Sequence, residues 1–304
     1  MNDTVHGHMV QDLLRHRFGS HDNLICKYSS KYPVQAEREF QRLTNAYIRI
    51  LNELLKEYLP EIRDAARAER ETGQRHDDAS DLIAKVKTVF SKMTVELERR
   101  TSMFGLRSKI ESMAKLTRKL SIREWKKAVK STLGIDLMDD YYTGELYRTM
   151  MERWVEDNVA LIKAIPQESL GRMRQIVLEG YRNGETTTAI VKQIQRTYSV
   201  DRRHAQLLAR DQIAKLNGDI TQQQQQDAGV VEYAWSTSGD SRVRPSHAAL
   251  NHKRFRWDDP PVVDEKTGRR CHPGKDYQCR CCALPVFNIK TVDLPVTKGG
   301  DGRG

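Results

Sequence analysis

Apolar residues recur at three- and four-residue spacing along most of this chain. Phe40, Leu43, Tyr47, Leu51, Leu54 and Tyr58 form one such stripe, the face of an amphipathic helix. Pro60 either interrupts that helix or follows its end. Residues 63–79 are almost wholly polar and form a solvated helical extension or a linker. Leu82, Val86, Val89, Met93 and Leu97 make a second stripe, and Gly105 marks a break. Ile110, Met113, Leu116 and Leu120 make a third. Leu146, Met150 and Trp154 open a fourth, running to about Ile165. Pro166 suits the first turn of a new helix, carried by Leu170, Met173, Val177 and Tyr181 and ended by Gly184. Thr186 to Thr188 can cap the next, with Ile190, Val191 and Ile194 inside. Asp201 can cap another that runs to about Gln226, with the glutamines Gln222–Gln226 as its solvent-facing end. Residues 1–34 show no sustained period and read as an irregular arm.

The period changes after Asp227. Residues 230–238 (VVEYAWSTS) are rich in β-branched and aromatic types and predict a strand, and ALPVFNI at 283–289 predicts another. Prolines at 245, 260, 261, 273 and 285 follow the first of these strands. The expected fold class is therefore mainly α, in long helices, with a small C-terminal α+β module. The expected segments are an arm at 1–34, a helical region at 35–226, the module at 227–290 and a flexible tail at 291–304.

Composition adjusts this picture slightly. The 304 residues are 38% hydrophobic and 30% charged, enough for a core but more polar than an average globular chain. Mean hydropathy is −0.69, which fits long exposed helices. No apolar run approaches the ~18 residues of a membrane span, so no membrane partner is expected. The start, MNDTVHGHMV, lacks a basic-then-apolar leader pattern and implies a cytosolic product. Net charge is +10, which either favours polyanionic partners or merely confers solubility.

Three constellations carry candidate chemistry. The first runs from Trp235 through Asp240, Arg242 and Arg244 to His247. Asp240 can pair with Arg242 or Arg244, and His247 can serve as ligand or acid/base. A polar network pinning a core-poor module is the reading adopted for Trp235, Asp240, Arg242 and Arg244. The second is Cys271-His272 followed by Cys279, Cys281 and Cys282, four of the five cysteines within twelve residues. Thiolates and imidazoles are the usual ligands of tetrahedral zinc. The spacing departs from paired Cys-x2-Cys knuckles, so a structural zinc held by His247, His272, Cys279 and Cys281 stands beside reduced, buried cysteines that pack a turn. The third is the basic run Arg107, Lys109, Lys115, Arg118, Lys119, Arg123, Lys126, Lys127 and Lys130, a phosphate-contacting surface or a solvated face. No G-x-S-x-G, Walker A, G-x-G-x-x-G or H-E-x-x-H pattern is present, and His247, Asn251 and His252 are too close together for an HNH finger.

Taken together, these residues resemble the phage Mu F-like minor head (head morphogenesis) family. The features come in order: the Ala209–Gln212 helix, the Tyr233–Trp235 strand, Asp240-Ser-Arg242-Val-Arg244, His247, Phe255 and Trp257, Pro260-Pro261, and Cys279-Arg280-Cys281. The chain departs from the family pattern at His252, where glycine is common after Leu-Asn, and in the additional Cys271 and Cys282. The resemblance implies a structural minor head protein without catalytic activity, present in the virion head and made in the host bacterial cytoplasm. Its implied partners are the phage portal protein, the major capsid or scaffold protein and packaged DNA. A zinc-stapled nucleic-acid-binding module is the alternative, and a metal-dependent hydrolase or nuclease a more distant one.

Overall fold

The computed structural model describes residues 8–19, 21–71, 79–138, 144–183 and 185–295. Gly184, the side chains of Leu82 and Tyr181, residues 72–78 and the tail beyond 295 lie outside the described residues. Long helices dominate: α1 (His8–Phe18), α2 (Val34–Glu71), α3 (Ala79–Ser102), α4 (Leu106–Leu133), α5 (Glu145–Arg182), α6 (Thr187–Asp227) and the single turn α7 (Pro245–Ala248). The strands are β1 (Asn23–Ile25), β2 (Glu232–Ser236), β3 (Arg254–Arg256), β4 (Val262–Asp264), β5 (Arg269–Arg270) and β6 (Cys282–Asn288). Among the described residues, no helix is long and apolar enough to cross a membrane. The chain is thus mainly α with a small α+β module, as the hydropathy pattern implies.

It divides into two compact units, one of Arg38–Ser112 and Val155–Ala209, the other of Met1–Glu37, Met113–Trp154 and Arg210–Gly304. In the first, the expected stripes meet. Leu51, Leu54 and Leu55 of α2 pack with Val86, Phe90, Met93 and Leu97 of α3, Met173 and Val177 of α5, and Ile190 and Ile194 of α6. That shared core explains three places where the helices run on past expected breaks. Pro60 and Pro166 both lie inside helices. An interior proline costs about 3 kcal/mol, but Leu54, Leu55 and Ile62 flank Pro60 on the buried side, and Leu170 and Met173 follow Pro166. Asp201 is not a cap. It sits within α6, 2% exposed, where its carboxylate accepts the Ser169 hydroxyl and the Arg172 guanidinium at 2.6 Å. Leu146, expected on an apolar face, is instead 67% exposed.

The second unit is built on a four-stranded antiparallel sheet in the order β1-β6-β2-β3, with β4 and β5 forming a separate ribbon. Here the arm expected to be irregular contributes α1 and the edge strand β1, whose Leu24 sits opposite Phe287 of β6. Three residues are too few for a period of two to show. The first part of the expected flexible tail also packs in: Val292 and Leu294 are fully buried, and the Asp293 amide donates to the Ala228 carbonyl at 3.1 Å. The compact unit that holds residues 227–290 also takes in Met1–Glu37, α4 from Met113 onward and α6 from Arg210 onward.

Two buried glutamines tie α6 to its neighbours, Gln225 to the sheet and Gln224 to α4. Gln225 donates through Nε2 to the Ala283 carbonyl at 2.8 Å and accepts from Trp257 Nε1 at 3.3 Å, while Ser121 of α4 donates to Gln224 Oε1 at 3.4 Å. Gln224 and Gln225 are each 1% exposed, so these two do not face solvent as their polarity suggests, whereas Gln226 is exposed. Buried amides need partners, and the sheet's backbone and Trp257 provide them for Gln225. On α4, Glu124 accepts the Tyr28 hydroxyl at 2.7 Å, the Lys31 amide at 3.0 Å and Lys127 at 3.0 Å, which fixes the arm to the helix.

Candidate functional site

The loop from Cys271 to Cys281 lies against α6 by close backbone approach. A Cβ at Gly218 would meet the Pro273 carbonyl oxygen at 3.2 Å, and one at Gly274 would meet the Ala214 oxygen at 3.2 Å. Gly274 also has φ of +82°, which glycine adopts without steric strain. A turn then follows, in which the Cys279 amide donates to the Asp276 carbonyl at 3.1 Å. This turn brings Asp276, Cys279 and Cys281 beneath the short helix α7, which holds His247.

His247, Cys279 and Cys281 converge. Their ligand-capable atoms lie within 4.8 Å of one another. His247 Nδ1 is 3.5 Å from Cys279 Sγ and 3.6 Å from Cys281 Sγ. On the other side of the ring, Nε2 lies 3.0 Å from Asp276 Oδ2 and 3.3 Å from Arg244 Nη1. Asp276 is itself held by Arg244 at 2.6 Å, Arg269 at 3.1 Å and the Tyr277 amide at 2.8 Å. Trp235 of β2 meets the imidazole edge-on, with ring centroids 5.4 Å apart. The centre is nearly sealed: His247 is 2% exposed, Cys279 4%, Cys281 7% and Asp276 2%.

The two thiols differ sharply. The Cys281 thiol hydrogen-bonds to Cys279, and together with His247 and the Cys281 amide this outweighs burial and holds the Cys279 thiol below its ordinary range. Cys281 is pushed up, as the donor in that pair and by its own burial. Burial pulls His247 down, but the Cys279 contact and Asp276 outweigh it and raise the imidazole. The site therefore favours one thiolate beside the imidazole and resists a second.

The remaining expected residues fall elsewhere. His272 does not join the cluster. Its Nδ1 shares a 2.9 Å hydrogen bond with the Tyr233 hydroxyl and its ring lies 4.8 Å from Trp257, while burial lowers its basicity. An imidazole engaged in that way is an aromatic-core residue. Cys282 donates to the Ser30 carbonyl, with burial pushing its thiol up to about 12. Cys271 packs half-buried against the aromatic cluster of Tyr233, Trp235 and Trp257. Asp240 pairs with Arg242 and Arg280, each at 2.9 Å, rather than with Arg244, which turns to Asp276. Two members of the network, Asp276 and Arg269, had no distinguishing sequence signal beyond Asp276 standing three residues before Cys279.

The basic run is distributed over both units. Arg107 pairs with Glu156 and Glu111, and Lys109 lies 3.7 Å from the Phe104 ring centroid. Further along α4, Lys119, Arg123, Lys126, Lys127 and Lys130 line a groove of about 420 Å³ with Leu120, Ile122 and a single acid, Asp136. Lys115 is exposed there and Arg118 half-buried.

Fold and site together define a class: a long-helical protein whose small α+β module is centred on a buried histidine, two thiols and a carboxylate. Residues 172–284, which include that entire centre, match the family model described as Phage Mu protein F like protein. A Haemophilus influenzae protein described only as an uncharacterized protein is 31% identical over 160 residues, 53% of this chain. The chain spans about a third (34%) of the length of that curated relative. No solved structure matches the chain. His252, which replaces the glycine that the family resemblance implies, has φ of 63°, the left-handed conformation that glycine favours.

Proposed function

We propose that this chain is a minor head protein of a tailed phage, acting in head morphogenesis as a structural component rather than as an enzyme. The observation that carries this reading is the Phage Mu protein F like match over residues 172–284. The burial of His247, Cys279 and Cys281 supports a structural centre, since a reaction centre needs access for its substrate. On this reading the long helices meet the portal and the major capsid or scaffold protein within the virion head. The groove on α4 supports a further contact with packaged DNA, because five cationic side chains line it, although Lys127 and Arg123 also meet Glu124 and Lys130 meets Asp136.

The assembly reading is tested by co-expressing the chain with the portal and major capsid proteins of its own genome and sedimenting the particles. The chain is expected to travel with the particles. A chain left wholly in the supernatant beside normal particles would sink the proposal. DNA binding is tested separately by fluorescence anisotropy with a duplex across a salt series, where a steep fall of affinity with salt is expected. No binding at low salt, or a flat response, would remove DNA from the partners.

A further inference from the structure

We propose that His247 Nδ1, Cys279 Sγ and Cys281 Sγ bind a zinc ion that staples the C-terminal module. This site is independent of the assembly role.

The distances carry the proposal. In a tetrahedral zinc site, metal–nitrogen bonds of about 2.0–2.1 Å and metal–sulfur bonds of about 2.3 Å place ligand nitrogen and sulfur about 3.5 Å apart. His247 Nδ1 stands 3.5 Å from one sulfur and 3.6 Å from the other. A nitrogen–sulfur hydrogen bond explains one such contact, but Nδ1 has only one position to offer and it faces two sulfurs equally. An ion at the shared focus accounts for both.

The histidine's tautomer points the same way. A carboxylate can only accept, so the 3.0 Å contact with Asp276 favours a proton on Nε2, where Arg244 Nη1 also lies 3.3 Å away, and the tautomer with Nδ1 free toward the thiols is the one that zinc binding requires. A carboxylate behind the distal nitrogen is how metal-bound imidazoles are commonly oriented. Arg244, Arg269 and the Tyr277 amide hold that carboxylate in turn. The ligand-bearing residues are buried and their elements are short, four residues for α7 and a turn for the cysteines. Elements this small gain order from a covalent or metal staple.

The test uses the full chain, purified under thiol-reducing conditions and incubated with zinc. One equivalent is expected to remain after gel filtration. Cobalt substitution is expected to give thiolate-to-metal charge-transfer absorption and the intense visible bands of a tetrahedral site. Asp276→Asn keeps a hydrogen-bonding side chain and is expected to weaken zinc binding by roughly 10- to 100-fold. Cys279→Ser and Cys281→Ser are expected to abolish the charge-transfer bands, and Cys271→Ser to leave them intact. A reduced, folded wild-type chain that retains no zinc and gives no charge-transfer band with cobalt overturns the proposal. Loss of the bands in Cys271→Ser overturns the donor set. The wild-type arms hold even if a cysteine variant fails to fold.

Discussion

Each compact unit holds a cluster of a different kind. One buries fourteen apolar side chains in a single continuous cluster drawn from four helices. Around Tyr233 and Trp235 in the other, the apolar cluster numbers seven, two of them cysteines, and it adjoins a buried histidine and a buried aspartate. Apolar packing is roughly additive and tolerant of volume-conserving change. A polar centre is all-or-none, since removing one partner strands the others without water. The same chain should therefore respond gradually to substitution in one unit and abruptly in the other.

The largest break in this comparison is Asp276→Ala. It leaves His247, Arg244 and Arg269 without their shared carboxylate, and losing one partner of a buried charged network costs about 3–5 kcal/mol. Chemical denaturation is expected to show the module unfolding first, with Cys279 and Cys281 becoming reactive to a thiol reagent ahead of global loss of helix. Next comes Leu54→Ala in the helical core, where truncation of a fully buried leucine costs about 2–5 kcal/mol. Leu54→Met at the same position should cost under about 1.5 kcal/mol. If Asp276→Ala proved as mild as Leu54→Met, the all-or-none account of the polar centre would be wrong.

The same contrast governs what was legible in the sequence. The helical unit announces itself because burial there follows a 3.6-residue period, so Leu51, Leu54, Val86, Met93 and Ile194 are all found where the stripes place them. What the period cannot show is where a helix continues. Pro60, Pro166 and Asp201 carry local stop signals that packing and the Ser169–Arg172 contacts override. In the polar centre, residue type found His247, Cys279 and Cys281, because thiols and imidazole have few bland roles. It also chose His272, since sequence does not reveal that Tyr233 engages that ring. Asp276 went unnoticed because an aspartate between a lysine and a tyrosine looks like any surface acid. Gln224 and Gln225 were misplaced for the same reason, as polarity alone does not distinguish solvent from a buried partner.

Glu124 extends the comparison to a smaller effect and adds pH. Burial opposes its ionisation, but the Tyr28 hydroxyl, the Lys31 amide and Lys127 together hold the carboxyl below its ordinary range. A depressed carboxyl stabilises the fold above its unfolded pKa, and that contribution is lost as pH falls through the folded value. Glu124→Gln is expected to destabilise by about 1–3 kcal/mol at neutral pH, where it weakens three donors' shared acceptor. The gap between variant and wild type should close as the pH drops below the usual carboxylate range. A gap that stays constant across that range would mean that Glu124 acts through shape rather than charge.

The smallest effect on stability falls on the α4 groove, and there the contrast sharpens into one between stability and binding. Lys119 and Lys130 are exposed, and the Lys130–Asp136 pair at 3.0 Å lies in solvent on both sides. Exposed pairs of this kind contribute little to folding. Lys119→Gln with Lys130→Gln is therefore expected to leave the melting temperature unchanged. If the groove meets DNA, each lysine that contacts a phosphate releases counterions, and removing one lowers the slope of log affinity against log salt by about one. The double variant should then bind with a shallower salt dependence, uniformly across duplex sequences. An unchanged slope beside an unchanged melting temperature would return this surface to ordinary solvation.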